Sequence, residues 1–256
     1  IGRVDSDEKA RGSAKYIADF PLNDTHTVRF VLSDRAPATL HEVRPPSSGM
    51  PTGYTLLTAK EIPGFNGVHM IDDSWPLLAD ERIEYVGQPL ALVVGPDRAT
   101  IARLVDEVEV RYGSPSGERL SVPLDFLDTT TRLGAETFAE YALTLDRPRE
   151  EWPEPSDPTE KTRIREAFET GAQEHAYLET QGMAAVFRDG TLTVWGSMQC
   201  PFYVRTALVI VTGLAPERVR VIQTTTGGAF GGKEEFPSVI ACAVATAAIA
   251  TGNPVR

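Results

Sequence analysis

Four glycines crowd into six positions at Gly227-Gly228-Ala229-Phe230-Gly231-Gly232, and Lys233, Glu234 and Glu235 follow directly. Glycines carry no Cβ, so such a loop can bend sharply and bring its N–H groups close to an electron-rich partner. It lies between a strand-like run containing Val219 and Val221 and a long apolar run. Three kinds of chemistry compete for it. As a phosphate loop, Gly227, Gly232 and Lys233 satisfy G-x-x-x-x-G-K, but the next position should hold a Ser or Thr for magnesium. It holds Glu234, a carboxylate that repels phosphate. As a structural turn, the glycines would only feed a tightly packed helix. As an anion cradle, the amides of Ala229, Phe230 and Gly231 would donate to a group held against the main chain.

Other residues carry chemistry of their own. Gln199 ends the strand-like run from Leu192 to Ser197, and its amide can donate without introducing charge. The plain alternative is a strand-end glutamine bonded to a turn. Glu234 and Glu235 could favour the positive end of the following helix. Lys233 reads as a counter-charge to an anionic cofactor or as a solvated lysine where that helix starts. His175 and Glu179 stand four apart, but one His and one Glu do not make a metal site. Cys200 reads as a small buried hydrophobe.

The elements that must position these residues alternate between strand and helix signals. Residues 27–32, 53–58 and 89–94 read as strands, the last stopped by Gly95-Pro96. Asp97 caps a helix whose apolar residues Ile101, Leu104, Val105 and Val108 recur at helical spacing, and a strand follows through Val110 and Tyr112. From 114 to 161 the composition shifts to Pro, Ser, Asp and Glu, which reads as an extended linker. Beyond it, Gly182–Phe187 and Thr191–Ser197 read as strands joined at Asp189-Gly190. Pro201 opens a helix that Gly213 closes, Arg218–Gln223 forms a strand, and Pro237 starts a helix to Ala250. The pattern is α+β.

Composition excludes some functions. With 36 acidic and 25 basic residues in 256, the net charge of −11 argues against a nucleic-acid groove or an anionic membrane surface. The longest apolar run, Val239–Ala250, is too short for a membrane span. Two cysteines, Cys200 and Cys242, form neither a disulfide framework nor a Cys-x-x-Cys site, and with no signal-like start they suggest the reducing cytoplasm.

Several segments, taken in order, resemble one family. Arg11–Asp19, Tyr85–Val94, His175–Gln181, Leu192–Pro201 and Gly227–Glu234 look like segments of the molybdenum hydroxylases, the xanthine dehydrogenase and aldehyde oxidase family. The resemblance implies an α/β-hammerhead module over 1–113, the linker over 114–161, and the first portion of a molybdopterin-binding α+β domain over 162–256. It places Gly228, Ala229, Phe230 and Gly231 beside a molybdopterin cofactor, in its plain or cytosine dinucleotide form, and Gln199 beside the metal's oxo group, with no direct metal ligand from the protein. The 175–181 segment would be structural or line the cofactor region. An acidic residue at Glu234 is the purine-oxidising pattern, in which it faces and orients the substrate and can hydrogen-bond a heterocycle N–H. This implies hydroxylation of a purine or another N-heterocycle, with an aldehyde as the other substrate class.

The family's molybdenum subunits continue well beyond the matched segments, and their general-base glutamate would lie outside this chain. The resemblance therefore implies a hetero-oligomer with the remainder of the molybdenum subunit and with iron–sulfur (2Fe-2S) and FAD subunits. This chain alone would be incomplete and inactive. The contrasting expectation is a truncated or fragmentary relative that acts as a non-catalytic assembly domain.

Overall fold

The computed structural model describes residues 5–70, 75–113, 170–171 and 173–256. The linker expected over 114–161 lies outside the described residues. Described residues up to Gly113 and from His175 onward pack as one compact unit.

After a short helix α1 (Ser6–Ala10), the first part builds two three-stranded antiparallel sheets. One has the order β1 (Thr27–Leu32), β5 (Pro89–Gly95), β3 (Thr55–Leu57). Strand β5 is central because its apolar run leaves neither face needing water, and Leu90 to Val94 are all buried. The other sheet has the order β4 (Arg82–Ile83), β2 (Ala38–Arg44), β6 (Glu109–Tyr112). Helix α2 (Arg98–Glu107) starts where Asp97 accepts a 2.7 Å hydrogen bond from the amide of Thr100, and it buries Ile101 and Leu104.

The second part begins with a hairpin of β7 (Met183–Arg188) and β8 (Thr191–Gly196). Its two-residue turn puts Asp189 at φ 51° and Gly190 at φ 71°, the left-handed conformations that match strand twist. Helix α3 (Pro201–Thr212) then crosses over to β9 (Val219–Gln223), which pairs parallel to β8 from Leu192↔Val219 to Gly196↔Gln223. Helix α4 (Pro237–Thr251) is almost wholly buried, since Ala241, Ala243, Ala245, Ala247 and Ala248 let neighbouring backbones come close.

One core serves both parts. Leu57, Leu92 and Val94 from the first sheet lie in the same buried cluster as Ala185, Val194, Leu208 and Val244. After α4, Gly252 at φ 70° turns the chain back. Val255 then forms a parallel bridge with His26 and an antiparallel bridge with Ala185. It thus sits between the edge strands β1 and β7. Among the described residues, no helix is long and apolar enough to cross a membrane.

Candidate functional site

Parallel strands joined by a crossover helix have their carboxyl ends at the same end of the sheet, so the segments that leave them start side by side. Here β8 runs out into Ser197-Met198-Gln199 and β9 into the glycine loop, so topology alone brings the two candidate segments together. Two hydrogen bonds hold them side by side. The amide of Thr224 donates to the Gly196 carbonyl at 2.9 Å, and Gln223 Nε2 donates to the Met198 carbonyl at 2.7 Å.

Gln199 is the clasp of the loop. Its Oε1 accepts from the amides of Gly231 at 3.1 Å and Lys233 at 3.3 Å, and its main-chain N–H donates to the Lys233 carbonyl at 2.6 Å. Its Nε2 donates to Glu234 Oε1 at 3.3 Å. The structure therefore joins Gln199, the loop and Glu234 in one hydrogen-bonded group. Of the three amides expected to face a ligand, that of Gly231 is committed to Gln199 instead, because the glutamine oxygen lies within its reach.

The cradle lies one residue earlier. The amides of Gly228, Ala229 and Phe230 donate to no protein atom among the described residues. Gly228 at φ 97°, Phe230 at φ 53° and Gly231 at φ 94° put this stretch in left-handed conformations, and a phenylalanine there costs about 1–3 kcal/mol. The Phe230 side chain is 78% exposed. Three successive free amides suit an anionic, oxygen-rich group, so the donor set fits the cofactor the resemblance implies.

Beneath the loop lies a buried ion pair. Lys233 has no exposed surface, contrary to the expected solvated lysine at the helix start. Its Nζ donates to Glu179 O at 2.7 Å, Ser197 Oγ at 2.9 Å and Glu179 Oε2 at 3.1 Å, and it sits 4.6 Å from the centre of the Tyr177 ring. All three ammonium hydrogens are thus committed, which leaves none for a phosphate and removes the phosphate-loop reading. It also removes Lys233 as a direct counter-charge to a cofactor.

Glu179 Oε2 accepts in addition from Ser197 Oγ and from the Gly227 amide, each at 2.7 Å. Burial pushes the Glu179 pKa upward, but the Gly227 amide, the Ser197 hydroxyl and Lys233 together outweigh it and hold the pKa below the ordinary glutamate value.

The glycines are demanded by what packs against them. A Cβ on Gly227 would lie 2.5 Å from Glu179 Cβ, and one on Gly232 would lie 2.7 Å from the Tyr177 ring. Residues 175–181 form no helix, so the spacing of His175 and Glu179 has no helical meaning. Gln181 adds a further tie, with Nε2 donating to the Gly232 carbonyl at 2.8 Å. Cys200 is half-buried beside Gln199, where burial and the neighbouring Glu234 and Glu235 carboxylates raise its thiol pKa. Sequence reasoning missed the Glu179–Lys233 pair because its members are 54 residues apart.

Comparison with known proteins matches both parts. Residues 11–115 match the aldehyde oxidase and xanthine dehydrogenase a/b hammerhead domain, and residues 157–256 match the molybdopterin cofactor-binding domain. The chain is 32% identical over 254 residues to a nicotinate hydroxylase of Emericella nidulans, covering 96% of this chain and 18% of that protein. It is 27% identical over 262 residues to a probable xanthine dehydrogenase subunit of Bacillus subtilis, covering 99% and 34% respectively. Its fold matches the aldehyde oxidoreductase of Desulfovibrio gigas with a TM-score of 0.76 at 21% identity, covering 99% of this chain and 29% of that one. The chain spans about a third or less of the length of these relatives.

Proposed function

Because the chain belongs to the aldehyde oxidase and xanthine dehydrogenase family of molybdenum hydroxylases, we propose that it forms one wall of a molybdopterin site that hydroxylates a purine or other N-heterocycle. One observation carries the reading: three successive free amides, Gly228 to Phe230, lie beside a glutamine that clamps the same loop. When bound, the cofactor supplies the two-electron oxidation that puts a water-derived oxygen on an electron-poor carbon.

This chain's residues bind and orient. The free amides hold anionic oxygen atoms of the cofactor, and the clasp through Gln199 keeps them aimed without reorganisation. The second N–H of Gln199 Nε2 is available to an oxo group. Glu234 accepts a hydrogen bond from a heterocycle N–H, and the exposed Phe230 ring gives that heterocycle an apolar face. General-base work, the rest of the pterin contacts and electron transfer through iron–sulfur and FAD components belong to the remainder of the molybdenum subunit and to partner subunits. The complex would reside in the cytoplasm, and the pterin in either its plain or cytosine dinucleotide form fits this role.

The test is the content of molybdenum and released pterin in the complex purified from its native host. Near one of each per chain supports the reading. A well-folded complex that holds neither overturns it and leaves a non-catalytic assembly domain.

A further inference from the structure

The free amides of Gly228, Ala229 and Phe230 are bracketed by two held ones. On one side the Gly227 amide donates to Glu179 Oε2 at 2.7 Å, and the Gly227 carbonyl accepts from the Glu179 amide at 3.2 Å. On the other side the Gly231 amide donates to Gln199 Oε1 at 3.1 Å. The two anchors differ in charge. Gln199 is neutral, whereas Glu179 brings a carboxylate to the foot of a cradle suited to anions. A carboxylate grips an N–H more firmly than a neutral oxygen does, but its field opposes any anion that the neighbouring amides are to bind.

Lys233 resolves that conflict. Its Nζ lies 3.1 Å from Glu179 Oε2, and both side chains are withdrawn from water, with 0% of Lys233 and 14% of Glu179 exposed. Ser197 Oγ bridges the two charges, donating to Glu179 Oε2 at 2.7 Å and accepting from Lys233 Nζ at 2.9 Å. Buried charges are screened little by salt, so the cradle feels the sum of the pair rather than either member alone. The loop carries its own compensator, since Lys233 follows Gly231 by two residues and its main-chain N–H shares Gln199 Oε1 with that of Gly231. Lys9 also approaches the loop, with Nζ donating to the Thr226 carbonyl at 3.3 Å, but Asp5 lies 2.8 Å from that same atom.

We propose that Lys233 is a positioning residue that acts through Glu179: it neutralises the carboxylate that anchors Gly227, so that the amides of Gly228 to Phe230 can receive an anionic group. The inference rests on the proposed function only in taking that stretch as an anion site. A carboxylate anchor without its lysine holds the loop in shape and repels what the loop is shaped for. A lysine without the carboxylate does the reverse, leaving a net positive charge beneath a loop held less firmly. Stability and anion affinity therefore move in opposite directions when Glu179 loses its charge, which a purely structural strut cannot produce.

The probe is molybdate, an oxygen-rich dianion, titrated into the full chain without cofactor at about pH 8 and fixed ionic strength, where carboxylates are ionised and lysines charged. Amide NMR signals of Gly228, Ala229 and Phe230 report its binding. The parent is compared with Glu179→Gln, Lys233→Met and the double variant, and Glu234 and the Asp5–Lys9 pair are common to all four. Glu179→Gln is expected to bind molybdate roughly tenfold more tightly than the parent despite a lower urea midpoint, and Lys233→Met roughly tenfold more weakly. The double variant, neutral again at the pair, is expected within about threefold of the parent. Should Lys233→Met fail to fold, the other two variants decide. Weaker binding by Glu179→Gln, in step with its lost stability, overturns the proposal, and so does equal affinity in all four proteins. Both of these outcomes leave the anion cradle standing. An absence of shifts at Gly228 to Phe230 in the parent removes the cradle itself and the proposal with it, so the two failures are told apart.

Discussion

Lys233 Nζ lies 3.1 Å from Glu179 Oε2 with no exposed surface of its own, and it ties the glycine loop to the segment that precedes β7. Removing one member of such a pair strands the other as a buried charge. Lys233→Met is expected to cost about 3–5 kcal/mol of stability, read from the urea midpoint. A loss comparable to that of a surface lysine variant would mean that the pair contributes little.

The same pair sets a pH dependence. The folded-state pKa of Glu179 is lowered, so its stabilising contribution is complete above the ordinary glutamate value of 4.5 and is lost as pH falls through the lowered folded value. Urea midpoints measured on both sides of pH 4.5 should fall on the acid side in the parent. Glu179→Gln should be less stable at neutral pH and should lack that glutamate's share of the acid-side fall. Parallel curves for the two proteins would contradict this.

Gly227→Ala separates close packing from backbone freedom. The new Cβ would press on Glu179 Cβ, and overpacking of this kind costs about 1–3 kcal/mol. Gly190→Ala meets no atom within 4 Å and bears only its left-handed φ, a cost of about 1 kcal/mol. The expected order in thermal melts is parent, then Gly190→Ala, then Gly227→Ala, with only the last reducing pterin retained on purification.

Gln199 and Glu234 should separate in steady-state kinetics of the complete enzyme. Gln199→Ala unties the amides of Gly231 and Lys233, and by analogy with loss of one oriented donor it should lower kcat by roughly a hundredfold. Glu234→Gln leaves the loop's main-chain ties in place. It should lower kcat/KM for an N-heterocycle by roughly 10- to 100-fold, as loss of a hydrogen bond to a charged group does, while pterin content stays unchanged. Equal losses for N-heterocycles and aldehydes in Glu234→Gln would overturn its proposed role in substrate choice.

Strong local signals made most elements legible in the sequence. The apolar run of β5, the Asp97 cap, the Asp189-Gly190 turn and the Pro201 and Pro237 helix starts each act through neighbours in the chain, and each appears in the structure. Strand β2 was not legible. It is the middle strand of its sheet, yet His41, Glu42 and Arg44 break the apolar pattern, and only Ala38 and Leu40 are buried. In the site, the glycine loop and Gln199 stood out by composition and position, whereas Glu179 and Lys233 were each weighed alone and not as partners. Their roles come from contacts across the fold, which no local spacing encodes.

The buried cluster joining Leu57, Leu92 and Val94 to Ala185, Val194 and Val244 bears on how such a chain can evolve. Two matched modules look like exchangeable parts, but recombination between them would set a foreign apolar surface against an interior shaped for another partner. A substitution on one side alters packing on the other, so exchanging both modules together is expected to cost less stability than exchanging one. Under the proposed function, new specificity would then be reached by altering the Gly228–Glu234 loop rather than by trading whole modules.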